Sequence, residues 1–249
     1  MHNPYFRCSF MQKIKNFSVA DSIYIFISFA VVGGFLEAYT YLLHGGVFCN
    51  AQTGNVVLFA LHLTHGEYMS ALQCLYSLLA YVAGIFVSVF LPSVFKKIDL
   101  HCAITAVEIA TLVALAFIPE SVPNWVTYVS VSFLCALQYN TFTECRGAKL
   151  ATTFCTNNLR QTVMFLYGGI TEKNTNKLKK SGVYALVILA FALGAVGGGF
   201  VSPLFGNLSA LFCAAVLLPV LILLIVLLIR KNKNTSVSSE APSEQNILK

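Results

Sequence analysis

The sequence predicts an all-α integral membrane protein: six transmembrane helices plus two short re-entrant broken segments, the two halves of the chain forming an inverted repeat. Three observations predict it. Hydrophobic residues make up 57% of the 249 and charged ones only 10%, against about a quarter charged in an ordinary soluble domain. Six apolar runs are long enough to cross about 30 Å of hydrocarbon at 1.5 Å per residue. Two polar stretches, Phe48-Cys-Asn-Ala-Gln-Thr-Gly-Asn55 and Thr152-Thr-Phe-Cys-Thr-Asn-Asn158, interrupt the apolar sequence at corresponding places in the two halves.

The elements follow in order. Residues 1–20 form a basic lead with Arg7, Lys13 and Lys15 and no acid. The first run, about Asp21 to Leu43, is too long for a signal-peptide core and lacks a small-x-small exit, so it stays as an anchor. It carries Gly33, Gly34 and Glu37. After the first polar stretch, Val56 to Leu63 is too brief to span. Longer runs then cover Ser70 to Phe95 and Cys102 to Ile118, the latter with Glu108, closing a first membrane repeat over residues 21–118. The second repeat, residues 125–229, begins with a run from Trp125 to Cys145 that holds Gln138, Asn140 and Glu144. The second polar stretch and the short piece Leu159 to Tyr167 come next, where Arg160 argues against a lipid-facing crossing. A loop with Lys173, Lys177, Lys179 and Lys180 precedes the runs Val183 to Phe205 and Leu208 to Ile229. The tail, residues 230–249, is Ser- and Asn-rich and reads as disordered.

Loop charge selects six crossings over eight. With six, Arg7/Lys13/Lys15, Lys96/Lys97, Arg146/Lys149, the lysines of the 173–180 loop and Arg230/Lys231/Lys233 all lie on the cytoplasmic side with both termini, and the loops lacking Lys and Arg lie outside. With eight, Lys96, Lys97, Arg146 and Lys149 would face outward. Three spans and one re-entrant segment per half make an odd number of crossings, which inverts the second half. The echoes Thr53-Gly-Asn55 with Thr156-Asn-Asn158 and Tyr81-Val-Ala-Gly84 with Phe191-Ala-Leu-Gly194 support the repeat.

Non-helical backbone at membrane depth must be buried in protein or line a wet cavity. Thr53 and Asn55, and likewise Thr156 and Asn158, are suited to capping the short helices after them, with Gly54 allowing close backbone approach. Two helix N-termini meeting near the midplane favour a small anionic or neutral acceptor-rich solute. The candidate contacts are Glu37, Asn50, Thr53, Gly54, Asn55, Gln138, Asn140, Thr156, Asn157 and Asn158. Two readings stay open: solute contact, or breaks that only close the fold. Glu37 and Glu108 cost on the order of 2.5 to 3.5 kcal/mol each at mid-membrane and require a partner or a proton. Arg160 is the candidate partner in an ion pair, and Glu37 the candidate proton-coupling acid. Gly194 and Gly198 mark close helix packing.

A secondary transporter or channel is the leading expectation, with a non-transporting membrane scaffold or assembly partner as the alternative. No HExxH, GxSxG, Walker or GxGxxG pattern supports an enzyme, and no cofactor or metal motif is present. His62 and His65 are a weak metal signal. The eight cysteines form no CxxC pair and read as small core residues. A formal charge of +6 arises from clusters at run ends, so the partner it implies is the bilayer and not nucleic acid; homo-oligomerisation is left open.

At Gly33-Gly-Phe-Leu-Glu-Ala38, Gly46-Val-Phe48, Thr53-Gly-Asn55, Glu108, Gln138-Tyr-Asn140 and Thr153 to Leu159, the chain resembles the YoaK-type family of bacterial polytopic inner-membrane proteins, a domain of unknown function. The resemblance covers about Ala20 to Ile229 and implies a multi-pass protein of the bacterial inner membrane. Glu37 stands where that family usually has Asp, and Asn157 replaces the Gly of its second TGN.

Overall fold

The structure, a computed structural model, describes residues 22–96, 98–145, 148–149 and 155–240. The basic lead, Lys97, Arg146 and residues 152–154 of the second polar stretch lie outside the described residues. The rest is helical apart from one hairpin: α1 (Ile23–Leu43), α2 (Gln52–Thr64), α3 (Tyr68–Val94), α4 (Leu100–Ala116), α5 (Trp125–Thr141), β1 (Glu144–Cys145), β2 (Ala148–Lys149), α6 (Cys155–Thr171), α7 (Thr175–Phe205) and α8 (Ala210–Glu240). Three stretches are long and apolar enough to cross a membrane: Ile23–Leu43, Tyr68–Val94 and Thr175–Lys233. The last, at 59 residues, is divided into α7 and α8 by the 3-10 turn Gly206–Ser209.

Local chemistry sets most of the boundaries. Gly45 and Gly46, at φ 86° and 68°, stop α1 in a conformation that Cβ-bearing residues resist. Asp99 caps α4 by accepting the Cys102 N–H at 3.0 Å, and Asn174 caps α7 through the N–H groups of Asn176 and Lys177. The structure departs from the sequence reading in four places. The fifth helix ends at Thr141, and Glu144–Cys145 instead pairs antiparallel with Ala148–Lys149, so the fold carries a small β-hairpin. The second short piece is a 17-residue helix, as long as α4. Lys177, Lys179 and Lys180 belong to the first turns of α7 and not to a loop. Helix α8 continues to Glu240, where disorder was expected from residue 230; the sequence offers no Gly or Pro after Pro219 until Pro242 to break a helix once it is running.

Helix α1 sits at the centre, packed against α7, α8 and α5, and is therefore buried on nearly all sides. Close approach comes from glycine. A Cβ on Gly34 would lie 1.9 Å from Phe191 O, one on Gly194 2.0 Å from Val31 O and one on Gly198 2.6 Å from Phe35 O. The same device recurs between α3 and α5, where a Cβ on Gly84 would lie 2.5 Å from Phe133 O. The progression from Ile23 beside Val183 to Val31 on Gly194 and Phe35 on Gly198 makes α1 parallel to α7. Ser77 meets Ser132 and Ser88 meets Asn140, which makes α3 parallel to α5. The main pairings are α1 with α7, α3 with α5, α2 with α3, α6 with α7 and α4 with α8. This set is unchanged when the first four helices are exchanged with the last four.

The two ends of the bundle differ in chemistry. At one end, Gly45 after α1 abuts Gln73 in the second turn of α3, His44 Nδ1 lies 3.3 Å from Asn124 Oδ1 before α5, and Asn207 donates to Ile118 O at 3.1 Å. At the other, Phe142 after α5 meets Phe26 of α1 at 6.4 Å and His101 of α4 at 5.0 Å between ring centroids. Helix α5 is thus antiparallel to α1. Each short helix also begins and ends its hairpin on the side from which the chain entered: α1 ends where α3 starts, and α5 ends where α7 starts, since Ile23 shares a groove with Lys180. Lys96, Lys149, Lys179, Lys180 and Lys231 fall at the second end. The first carries Glu67 and Glu120 and, among the described residues, no Lys or Arg.

Candidate functional site

Helix α2 starts with a backbone problem. Its cap residue is Ala51, whose side chain accepts nothing, yet the first N–H groups of a helix lack intrahelical partners. Glu37, nearly two turns before the end of α1 and 6% exposed, supplies the acceptor. Its Oε1 accepts the Ala51 N–H at 2.7 Å, and its Oε2 accepts the Asn50 N–H at 3.1 Å and the Cys49 thiol at 3.4 Å. A carboxylate at the partly positive start of a helix is electrostatically favoured. Thr53 and Asn55, expected as caps, lie inside the helix because it begins at Gln52, and Thr156 and Asn158 lie inside α6 because that begins at Cys155. The cap arrives from another helix, so no local Ser, Thr, Asp or Asn signal announces it.

Asn55 instead locks the entering chain. Its Nδ2 donates to Phe48 O at 2.6 Å, Gln52 Oε1 at 2.9 Å and Ser77 Oγ at 3.2 Å, and its Oδ1 accepts the Phe48 N–H at 2.9 Å. Ser77 Oγ donates to Phe48 O at 2.9 Å and lies 2.8 Å from Ser132 Oγ. Gln52 Nε2 donates to Cys49 O at 3.0 Å. Gly54 has a specific task here: a Cβ would stand 3.0 Å from the Phe48 ring. Ser77 lies nine residues past Tyr68, about 14 Å along α3, so the start of α2 sits well inside the bundle and away from its first end.

The remaining candidates divide. Asn50 is fully buried; its Nδ2 donates to Gly33 O at 3.3 Å, and its Oδ1 has no partner. Gln138 is buried with neither amide atom partnered, and Glu108 with neither oxygen partnered. Asn140 donates to Ser88 Oγ at 2.8 Å, bracing α5 on α3. Asn158 is buried at the position in α6 that matches Asn55 in α2, whereas Thr53, Thr156 and Asn157 are exposed. Cys155, the first residue of α6, lies within electrostatic range of Glu37, whose hydrogen bonds all go to residues 49–51 at the start of α2. Arg160 does not partner either acid. It is exposed, and the ion pairs among the described residues are His62–Glu67, His101–Asp99 and Lys177–Glu172. Two residues along α6 from buried Asn158 the helix has turned its side chains outward, and Glu37 already has its donors.

Sequence reasoning missed Cys49, Gln52, Ser77 and Ser132. A signal for Ser77 existed: Ala71, Cys74, Ser77, Tyr81, Gly84 and Ser88 are spaced as one helix face, and all are buried. Small and polar residues on such a face of an apolar run mark a helix contact.

No three His, Cys, Asp or Glu side chains are grouped as metal ligands among the described residues. No curated protein and no solved structure matches the chain. A family does match, over residues 25–224, from the first turn of α1 to the middle of α8. This span contains every residue of the Glu37 and Asn55 networks, and the chain belongs to the family described as protein of unknown function DUF1275.

Proposed function

We propose that the protein is a proton-coupled secondary transporter of a small anionic solute, or a neutral one rich in acceptors, with Glu37 as an internal stand-in for that solute. One observation carries the reading: a buried carboxylate on α1 occupies the start of a short helix inside the bundle. Backbone N–H groups at such a start bind anions. While Glu37 is ionised it fills the site. Protonation removes its charge and frees the Ala51 and Asn50 N–H groups, so a proton and an anion bind together. Cys49 is the titratable group in contact with Glu37, and Cys155 lies within its electrostatic range. Buried Gln138, the Asn50 oxygen and Glu108, unpartnered in this conformation, are groups a solute or proton would satisfy in another, since such orphans are costly.

The six-crossing, inverted-repeat arrangement is part of this proposal. It is supported by α5 running antiparallel to α1, by both short helices returning the chain to its side of entry, and by pairings unchanged under exchange of the halves. The gathering of lysines at one end supports cytoplasmic termini, and the resemblance to YoaK-type proteins is in keeping with a bacterial inner membrane. Transport is favoured over catalysis because the polar residues converge on helix starts and not on a nucleophile with its base.

The test is proton uptake by proteoliposomes with a pH dye inside and chloride, nitrate, sulfate or phosphate gradients imposed. The wild type acidifies the lumen with at least one anion, and Glu37→Gln, inserted normally, does not. Acidification with none of the anions, or equal acidification by the variant, rejects the reading. A second reading, a non-transporting scaffold, is favoured by the closure of the Asn55 network on the protein itself; it requires Glu37→Gln to lose stability while transport is absent from both proteins.

A further inference from the structure

A separate groove opens at the lysine-bearing end of the bundle, between the start of α1 and the first turns of α7. It has a volume of about 580 Å³ and is lined by Ile23, Asn176, Lys179, Lys180, Val183 and Leu186, a size within the range of small-molecule sites. The α7 residues are spaced three or four apart and form one helix face. That face changes character along its length. An amide and two ammonium groups come first, at the end of the bundle, and Val183 and Leu186 follow deeper, with Leu186 about 9 Å beyond Lys180. Ile23 extends the apolar part from α1.

The charge of the groove is set by its neighbours. Glu172, the acid of the adjoining turn, is paired with Lys177, and the Asn174 side chain already takes two N–H groups at the start of α7. The positive character therefore comes from side chains and not from the helix terminus. Lys180 Nζ lies 5.7 Å from the centre of the Phe165 ring, which fixes its stem against α6, and Lys179 is exposed.

We propose that this groove binds the headgroup of an anionic phospholipid, with Lys179 and Lys180 at the phosphate and Asn176 at the glycerol or headgroup oxygens, the first acyl methylenes lying along Val183, Leu186 and Ile23. A free phosphate uses the lysines and gains nothing from the apolar floor, whereas a phospholipid matches the order of the lining from charged to apolar. Basic pockets between helices at a membrane surface recognise such headgroups.

The experiment is a thermal-unfolding titration of the purified full chain in neutral detergent with phosphatidylglycerol, phosphatidylcholine or inorganic phosphate. Phosphatidylglycerol raises the midpoint in a saturable way as a native-state ligand does, and the other two do not. The Lys179→Gln/Lys180→Gln double variant weakens the apparent affinity by about thirtyfold, at about fivefold per lysine. The Lys96→Gln/Lys231→Gln variant, which removes equal charge from the same end of the bundle outside the groove, keeps the wild-type response. Equal responses to the two lipids, a response to phosphate alone, which marks a free-anion site, or equal losses in the two double variants each overturn the proposal.

Discussion

Glu37 Oε1 accepts the backbone N–H of Ala51 at 2.7 Å across 14 residues of chain, so the start of one helix is completed by the side chain of another. Replacing Glu37 with Gln removes the charge at the helix start and leaves one oxygen to do the work of two. A cap loss of about 1 to 2 kcal/mol is expected, read as a lower unfolding midpoint in detergent. Glu37→Asp, one methylene shorter, keeps the charge and recovers part of it. An unchanged midpoint in Glu37→Gln would show that the cap is dispensable.

Asn55 makes four hydrogen bonds within 3.2 Å. Asn55→Ala leaves the Phe48 backbone groups and Gln52 Oε1 short of partners, and a loss of about 2 to 3 kcal/mol follows. Ser77→Ala removes the link to α5 through Ser132 and costs about 1 kcal/mol. A double variant should lose less than the sum, because both side chains serve Phe48 O. Strict additivity measured by thermal unfolding would break the network apart.

Gly194→Leu should abolish the folded state as seen by size-exclusion chromatography, since even a Cβ there meets Val31 O at 2.0 Å and overpacking of this kind costs at least about 1 to 3 kcal/mol for far smaller intrusions. Gly182→Ala in the same helix meets nothing within 4 Å and should be neutral or slightly stabilising. The contrast between the two tests the parallel contact of α1 and α7.

His44, the C-cap of α1, is buried, with Nδ1 at Asn124 and Nε2 unpartnered. Burial holds its pKa below the usual histidine value, and the Asn124 contact offsets this in part. The neutral ring is the one the fold accepts, so this contribution to stability is complete above the ordinary value of about 6.5 and is lost as pH falls through the lowered one. The unfolding midpoint should drop on acidification below about pH 6, and His44→Gln should flatten that drop. A variant with the same acid slope as the wild type assigns the effect elsewhere.

Single cysteines placed at Glu67 and Asn124 in a chain freed of its native cysteines should react with an impermeant maleimide from outside intact cells. Those at Lys96 and Lys177 should not. The reverse pattern inverts the topology, and labelling of Glu67 without Asn124 removes the shared end that His44 and Gly45 define.

The glycines and the boundaries were legible in the chain where their cause is local. Gly194 and Gly198 mark a helix contact by spacing alone, and the long runs give away α1, α3 and α7. The end of α5 was not legible: residues 142–145, Phe-Thr-Glu-Cys, hold no Gly or Pro to stop a helix, and the packing of Phe142 on Phe26 and Phe29 marks where the chain turns. Arg160 illustrates a different failure. The sequence supplies two intramembrane acids, Glu37 and Glu108, and one base and invites a pair, but pairing depends on which face of α6 points inward.

By itself the sequence determined that this is a helical, membrane-compatible chain with two polar breaks and with its cations gathered in clusters, because hydropathy and charge are sums over neighbouring residues. The tertiary structure alone decided that Glu37 caps α2, that Asn55 turns back on Phe48 instead of capping its own helix, and that Ser77 and Ser132 join the network. Those relations link residues 7 to 55 positions apart. Their energies come from hydrogen bonds that need the helix axes close together, as the glycine contact of Gly84 on Phe133 holds α3 and α5.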